Sequence, residues 1–459
     1  MSPYQHASTA RFTAGRCAVA AAALLLSLAQ APAWSLDLAQ AYEAALQDDP
    51  QVKAARAATE ARLERLPQAR AQLMPNVSLS MSRNRNDLDR TAANALGNPV
   101  TTNTRYNSSG DSLTVRQPII RLFQFADLDK AQAQVDDANA VLERELQNVA
   151  VRVSGAYFEA LLAQEQLSMV SVQKNTATTQ LDAARKRLKG GLGTRTDVDE
   201  AMAAVDLRTA QELEASQNLD LTTRQLENLI NRPVDFLAAL DPAKLELLVP
   251  QPNNLDDWIA RAEQDSPEIQ SLKAQVQAAH YEISKARSGH LPTLDVVAQW
   301  TRQDSDTVSS VNNKYTNKSV GVQLNVPLFA GGAVNSQVRQ AVAEKERAEQ
   351  ALEALRRDLA VRLHHEFRGV TEGVLRIRAL EQSVKSMQQV VRANQLAFEG
   401  GSRTLLDTLN AQQQQATAQR DLAQARFVYL LSRVRLLSLA GGPKAEVITQ
   451  VNQWLMPPS

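Results

Sequence analysis

The sequence predicts a mainly helical chain with a minor β component, a tandem repeat in which each copy joins one β-hairpin to one long coiled-coil helical hairpin. Three observations point there. The chain is internally duplicated, each copy holds two stretches of alternating apolar and polar residues, and each holds helical stretches too long for a compact domain.

The duplication is read from two offsets. Leu38 to Pro50 (LAQAYEAALQDDP) aligns with Leu255 to Pro267 (LDDWIARAEQDSP) at an offset of 217, as does Met74-Pro75 with Leu291-Pro292. At Pro118 and Pro327 the offset is 209, and at Gly191/Gly401 and Asp197/Asp407 it is 210. Length changes are thus confined to 76–117 and 293–326, where loops are expected, because loops absorb insertions that packed elements do not. The divisions expected are a first repeat at 34–243, a linker at 244–254, a second repeat at 255–442 and a tail at 443–459.

Residues 1–33 read as a secretory signal peptide. Arg11 and Arg16 precede an apolar run from Ala18 to Leu28, and Ala31-Pro32-Ala33 supplies small residues, with the cut expected after Ala33. About 11 apolar residues fall short of the ~20 that span a bilayer. The single cysteine, Cys17, lies inside this segment, so the mature chain has no disulfide framework and no thiolate metal site. Its removal leaves 48 basic and 50 acidic residues, a net charge of −2 that gives no sign of nucleic-acid binding. No later apolar stretch approaches 18 residues, so entry into a membrane would require a closed barrel, the other way to satisfy every backbone polar group in lipid.

Within each copy the elements follow one order. Residues 51–74 and 268–290 are rich in Ala, Arg, Gln, Glu and Leu and read as helices. Strands are expected at 76–86 and 108–117, where Val77, Leu79 and Met81 alternate with Ser78, Ser80 and Ser82, and at 293–303 and 318–326. Asn98-Pro99, Asn107 to Gly110 and Asp304 to Asn317 read as polar turns. Alternation of this kind suits a barrel with lipid outside and water inside, and equally a half-buried soluble sheet. Pro75, Pro118, Pro292 and Pro327 mark the joints between strand and helix, and Pro67, matched by Ser284 in the second copy, marks a kink.

From Pro118 to Leu188 there is no further proline and one glycine, a helix that could reach about 105 Å at ~1.5 Å per residue. Leu128, Val135, Leu142, Val149, Ala156, Ala163 and Val170 recur at steps of seven, and Leu409, Ala416, Ala423, Leu430 and Leu437 repeat the spacing in the second copy. The helices turn back at 188–197 and 398–407. Two hairpins give four strands, too few for a membrane barrel; two copies would give eight strands around a filled lumen and three would give twelve.

The stretches GHLPTLD (289–295), VPLFAGGAVNSQVRQ (326–340) and GSRTLLD (401–407) resemble the TolC family of outer-membrane efflux and secretion ducts, and the likeness spans about residues 36–442. The resemblance implies a homotrimer, a 12-stranded transmembrane β-barrel set in outer-membrane lipid, and an α-barrel tunnel of helical hairpins crossing the periplasm. It also implies docking to a periplasmic adaptor protein and to an inner-membrane transporter, ABC-type or proton-driven, with 233–251 and the stretch after Gly441 in an equatorial region.

By the same resemblance the two bends form a periplasmic gate. Asp197 and Asp407 match carboxylates of the entrance, Thr196 and Arg403 match linking residues, Phe398 replaces a tyrosine, and Asn410 stands where other members carry a second aspartate. Phe398 therefore lacks a hydroxyl to donate, and the cation trap should be weaker. Both Thr194-x-x-Asp197 and Thr404-x-x-Asp407 also fit the capping box, in which the acid serves its own helix start. His364-His365-Glu366 is not the zinc pattern H-E-x-x-H, and Gly331-Gly332 lacks a phosphate-loop lysine, so neither a metal, a cofactor nor catalysis is expected. The competing reading is a periplasmic adaptor or coiled-coil scaffold without a pore.

Overall fold

The computed structural model describes residues 35–305, 313–442 and 444–456; the expected signal peptide lies outside them. The first part of the chain forms α1 (Leu38–Asp48), α2 (Pro50–Leu63), α3 (Arg65–Ala71), β1 (Asn76–Ala93), β2 (Pro99–Ile120), α4 (Leu122–Lys189) and α5 (Arg195–Ile230). The second forms α6 (Leu255–Asp265), α7 (Pro267–Arg287), β3 (Thr293–Ser305), β4 (Asn313–Asn325), α8 (Ala333–Glu399), α9 (Leu405–Leu439) and a closing α10 (Lys444–Asn452).

Helix starts use the same chemistry in both copies. Asp37 and Gln40 form a capping box on α1, Asn254 caps α6, and Pro50 and Pro267 open α2 and α7, where a missing N–H costs nothing. The break between α2 and α3 falls at Glu64, three residues before Pro67, whose ring nitrogen cannot donate back to the Leu63 carbonyl. Ser284 can, and α7 runs unbroken to Arg287.

At ~1.5 Å per residue, α4 (68 residues) and α8 (67 residues) are each about 100 Å long. They fold back on α5 and α9, and α7 packs on both α4 and α8. Every residue of the two seven-residue series above is buried or half-buried, the pattern an a/d seam requires.

The main core lies partway along these hairpins, where α1, α4, α6, α8, α9, α10 and the segment joining the copies meet. Leu36 bridges Leu237, and Leu240 bridges Leu455, so both ends of the described chain knit onto that segment. Tyr157 is fully buried, with its hydroxyl 2.9 Å from the Leu36 carbonyl and 3.0 Å from that of Ala238; Tyr429 donates to Leu248 at 2.9 Å. Two arginines at equivalent positions of the duplication tie the long helices to the short ones. Arg152 reaches Asp49, which is 2% exposed, at 2.6 Å, and Arg362 reaches Glu268 at 2.6 Å.

The four strands form one antiparallel sheet in the order β1-β2-β3-β4, leaving β1 and β4 as edges. Four sequence expectations are corrected here. Asp304 to Asn317, read as a turn, are strand at both ends, with Asp304 pairing Lys314 and Asn317 pairing Thr301. Asn107 to Gly110, read as a turn, lie inside β2 opposite Arg85 to Ser82, and the true turn is at Asn94–Asn98, where Gly97 takes a φ of +81° that favours glycine. The extra length of the first copy is accordingly strand rather than loop. The described part of β3 reaches Ser305, opposite Ser108, and the β1–β2 ribbon from there to Asn94 is exposed along most of its length and lacks the apolar alternation that marks a strand. Finally, Pro118 does not start the long helix. It pairs with Asp295 at the end of β2, beside a register shift where a missing donor is tolerated, and α4 begins at Leu122.

Candidate functional site

The sheet sorts its residues by face. In an unbroken antiparallel ladder, successive side chains alternate faces and directly opposed residues share one. The register places Leu294 with Leu324, Val296 with Val322, then Val77, Val115, Ala298 and Val320 in one row, and Leu79, Leu113, Trp300 and Lys318 in the next. Most of these apolar side chains are exposed in a single chain, Val77 at 63% and Val320 at 79%. The opposite face carries Ser78, Thr114, Gln299 and Ser319, then Ser80, Ser112, Thr301 and Asn317, then Ser82, Gly110, Gln303 and Tyr315. Beyond Arg116, to the last described residue of β3, no charged residue stands on that face among the described residues. Where the sheet meets the helices, Arg121, just before α4, pairs with Asp295, which is 5% exposed.

The two bends lie at the other end of the long helices. Each uses a Gly-Gly pair: the Gly190 N–H returns to the Lys186 carbonyl and Gly400 to Leu396, while Gly191 (φ +73°) and Gly401 (φ +77°) take the left-handed conformation that ends a helix. A capping box then starts the next helix. Thr194 Oγ1 accepts from the Asp197 N–H at 3.1 Å while Asp197 accepts from the Thr194 N–H at 3.0 Å, and Thr404 and Asp407 repeat this at 3.2 and 3.0 Å. The backbone N–H of Thr404, then its hydroxyl, then the charge of Arg403 hold the Asp407 carboxyl below the usual range.

Both expected aspartates thus cap their own helices. Arg403 lies within its own bend, with Nη1 4.0 Å from Asp407 Oδ1, and in a single chain it makes no ion pair with Asp197. Thr196 and Asn410 are exposed. Phe398 is half-buried against a small cluster of Leu181, Ala184, Ala201 and Leu405, which joins the two hairpins near their tips.

The sequence reading missed one partner. The Arg187 guanidinium, at the end of α4, sits 4.9 Å from the centre of the Phe398 ring, at the end of α8. A ring without a hydroxyl still offers its face to a cation. The available signal was the basic run Lys186, Arg187 and Lys189 beside the bend, which reads equally as favourable charge at a helix C-terminus.

With this geometry in place, the likeness to known proteins is consistent along the whole chain. The sequence profile of the family described as outer membrane efflux protein matches residues 41–232 and 258–442. The chain is 31% identical over 439 residues to the proteases secretion protein PrtF of Dickeya chrysanthemi, covering 94% of each chain. It is 32% identical over 418 residues to the alkaline protease secretion protein AprF of Pseudomonas aeruginosa, covering 91% of this chain and 86% of that one. The crystal structure of the outer membrane protein VceC of Vibrio cholerae superposes with a TM-score of 0.73 at 19% identity, over 88% of this chain and 96% of that one. Duplicated helical hairpins, a four-stranded sheet with one apolar and one polar face, and sequence likeness over nine-tenths of the chain lead to one conclusion: the chain belongs to the outer membrane efflux protein family, the TolC family of outer-membrane ducts.

Proposed function

We propose that three copies of this chain form the outer-membrane exit duct of a type I secretion system, a non-enzymatic channel that passes a polypeptide from a periplasmic tunnel through a shared β-barrel. The observation that carries this reading is the sheet. Its β1 and β4 edges have no partner among the described residues, and its apolar face is exposed, a combination that lipid tolerates only when strands close into a barrel. Three sheets supply twelve strands, enough for an open lumen. The likeness to PrtF and AprF, both described as protease secretion proteins, favours secretion over drug efflux.

The duct works with a periplasmic adaptor and an inner-membrane ABC transporter, which choose and drive the cargo, so this chain contributes passage and gating. The gate lies at the bends. Arg187 on Phe398 and the Leu181, Ala184, Ala201 and Leu405 cluster hold the two hairpins of a protomer together, while Arg403 and the capped Asp197 and Asp407 line the constriction, with Thr196 and Asn410 beside them. Opening requires the second hairpin to swing away from the first.

The test is deletion of the gene and complementation. Loss of an extracellular protease-like protein, with drug susceptibility unchanged and heat-modifiable trimers in outer-membrane fractions of the complemented strain, is the expected result. A soluble, non-conducting monomer would defeat the duct itself, and raised drug susceptibility with intact exoprotein export would reassign it to efflux.

A further inference from the structure

The same register that sorts the sheet by face also arranges charge along its apolar side. Beyond the row of Leu79, Leu113, Trp300 and Lys318 comes Met81, Asp111, Arg302 and Thr316, then Arg83, Ser109, Asp304 and Lys314, then Arg85 opposite Asn107. Five basic side chains thus stand against two carboxylates on the face that turns to lipid. Asp111 is taken by Arg83 at 2.8 Å and also faces Arg302, its cross-strand neighbour, and Asp304 is taken by Lys314 at 2.9 Å, while Arg85 and Lys318 make no ion pair among the described residues. Arg85, Arg302 and Lys318 are exposed. Further out the arm is no longer basic on this face, with Asp87 and Asp89 against Arg105.

The belt has a defined height. Rows are two residues apart, about 6.8 Å along a strand, so from Lys318 to the row of Arg85 it covers ~20 Å of strand, or ~14 Å along the membrane normal at the usual tilt. Its lower rows fall in the headgroup layer directly above an apolar band, and Arg85 stands at the outer rim of that layer. The helices leave from the opposite ends of the strands, so the belt lies at the end remote from the periplasmic tunnel. Beside the last described residues of β3, a groove of about 520 Å³ is lined from both faces of the β1–β2 ribbon, by Arg83, Arg85, Asn107, Ser109 and Asp304 on the belt side and by Asn84 and Ser108 on the other.

We propose that this belt is a binding site for the phosphate groups of an anionic glycolipid in the outer leaflet, with Arg85 and Lys318 as the unpaired cations that receive them, Arg302 between them sharing Asp111 with Arg83, and the aliphatic rows below seating its acyl chains. Arg is suited to forked contacts with phosphate, and Lys318 beside Trp300 can run its stem along the apolar surface and present its charge at the headgroups. The proposal rests on the barrel reading above.

The test uses the full-length trimer in detergent, with native mass spectrometry reading the lipid retained after addition of diphosphoryl or monophosphoryl lipid A at equal molar ratio. The wild type is expected to prefer the diphosphoryl form at least tenfold, and the triple variant R85Q/R302Q/K318Q to lose that preference while keeping heat-modifiable migration and single-channel conductance. Equal retention of both lipids by the wild type, or an unchanged preference in a folded, conducting triple variant, overturns the site. Saturation by inorganic pyrophosphate with no lipid preference makes it a free-anion patch and overturns the lipid assignment. A wild-type protein that forms no conducting trimer removes the barrel reading itself, a failure visible before any lipid is added.

Discussion

Replacing Phe398 by leucine removes the face over which Arg187 sits at 4.9 Å while keeping an apolar side chain of similar bulk against Leu181, Ala184, Ala201 and Leu405. A cation over an aromatic ring at a half-exposed site contributes about 0.5–1 kcal/mol. In a trimer whose hairpins open together the loss is felt three times, about 1.5–3 kcal/mol, which raises the ratio of open to closed gates roughly 10- to 150-fold. The assay is single-channel recording in planar bilayers, scored as the fraction of time in the high-conductance state. Arg187→Gln should reproduce the effect, Phe398→Tyr should stay near wild type because its ring keeps a cation-binding face, and the double variant should add little to either single one. Wild-type behaviour of Phe398→Leu, or full additivity in the double variant, would refute the latch.

Three further outcomes follow from the same geometry. Asn410 lies one helical turn from Asp407, so Asn410→Asp adds a third carboxylate per protomer, the second on α9, at the proposed constriction and should tighten block by a trivalent cation about tenfold at low salt, measured as the half-blocking concentration. Tyr157→Phe takes the hydroxyl away from the Ala238 carbonyl and from that of Leu36, which keeps only the Ala238 N–H, and should cost about 1–2 kcal/mol, seen as a lower thermal midpoint with unchanged conductance. Asp407 has a depressed pKa, so its stabilising contribution is fully present above the ordinary aspartate value and is lost as pH falls through the lower folded value; the start of α9 should therefore stay capped from pH 8 down to about 5 and fray only on stronger acidification, followed by amide exchange at Thr404 and Asp407.

What could be read in advance depended on whether one side of an element was apolar. Val77, Leu79 and Met81 announced β1 because one face is apolar, whereas the arm from Asn84 to Asn107 is polar on both faces, so strand was expected only to residue 86 and Asn107 to Gly110 read as a turn. Thr194-x-x-Asp197 and Thr404-x-x-Asp407 were legible because a cap is a local bond between residues three apart. The contact of Arg187 with Phe398 was not, since it joins the ends of two helices 211 residues apart in the chain, and neither residue signals the other. Pro118 misled for a related reason. A proline near a strand-to-helix change suits either side of the joint, and the pairing with Asp295 that decides it comes from the other copy.

The uncharged hydroxyl and amide wall of the sheet has a kinetic meaning. In the proposed barrel, between Arg116 and the last described residue of β3, a travelling chain would meet Ser, Thr, Asn, Gln and Tyr side chains that bond to it no more strongly than water does, and no fixed charge deep enough to hold a segment of either sign. The last stage of the proposed export would then be a nearly flat stretch of the energy profile, crossed by diffusion. A polypeptide would stall, if anywhere, among the aspartates at the far end of the helices, about 100 Å behind it, so cargo charge should alter the rate of entry and leave the rate of exit unchanged.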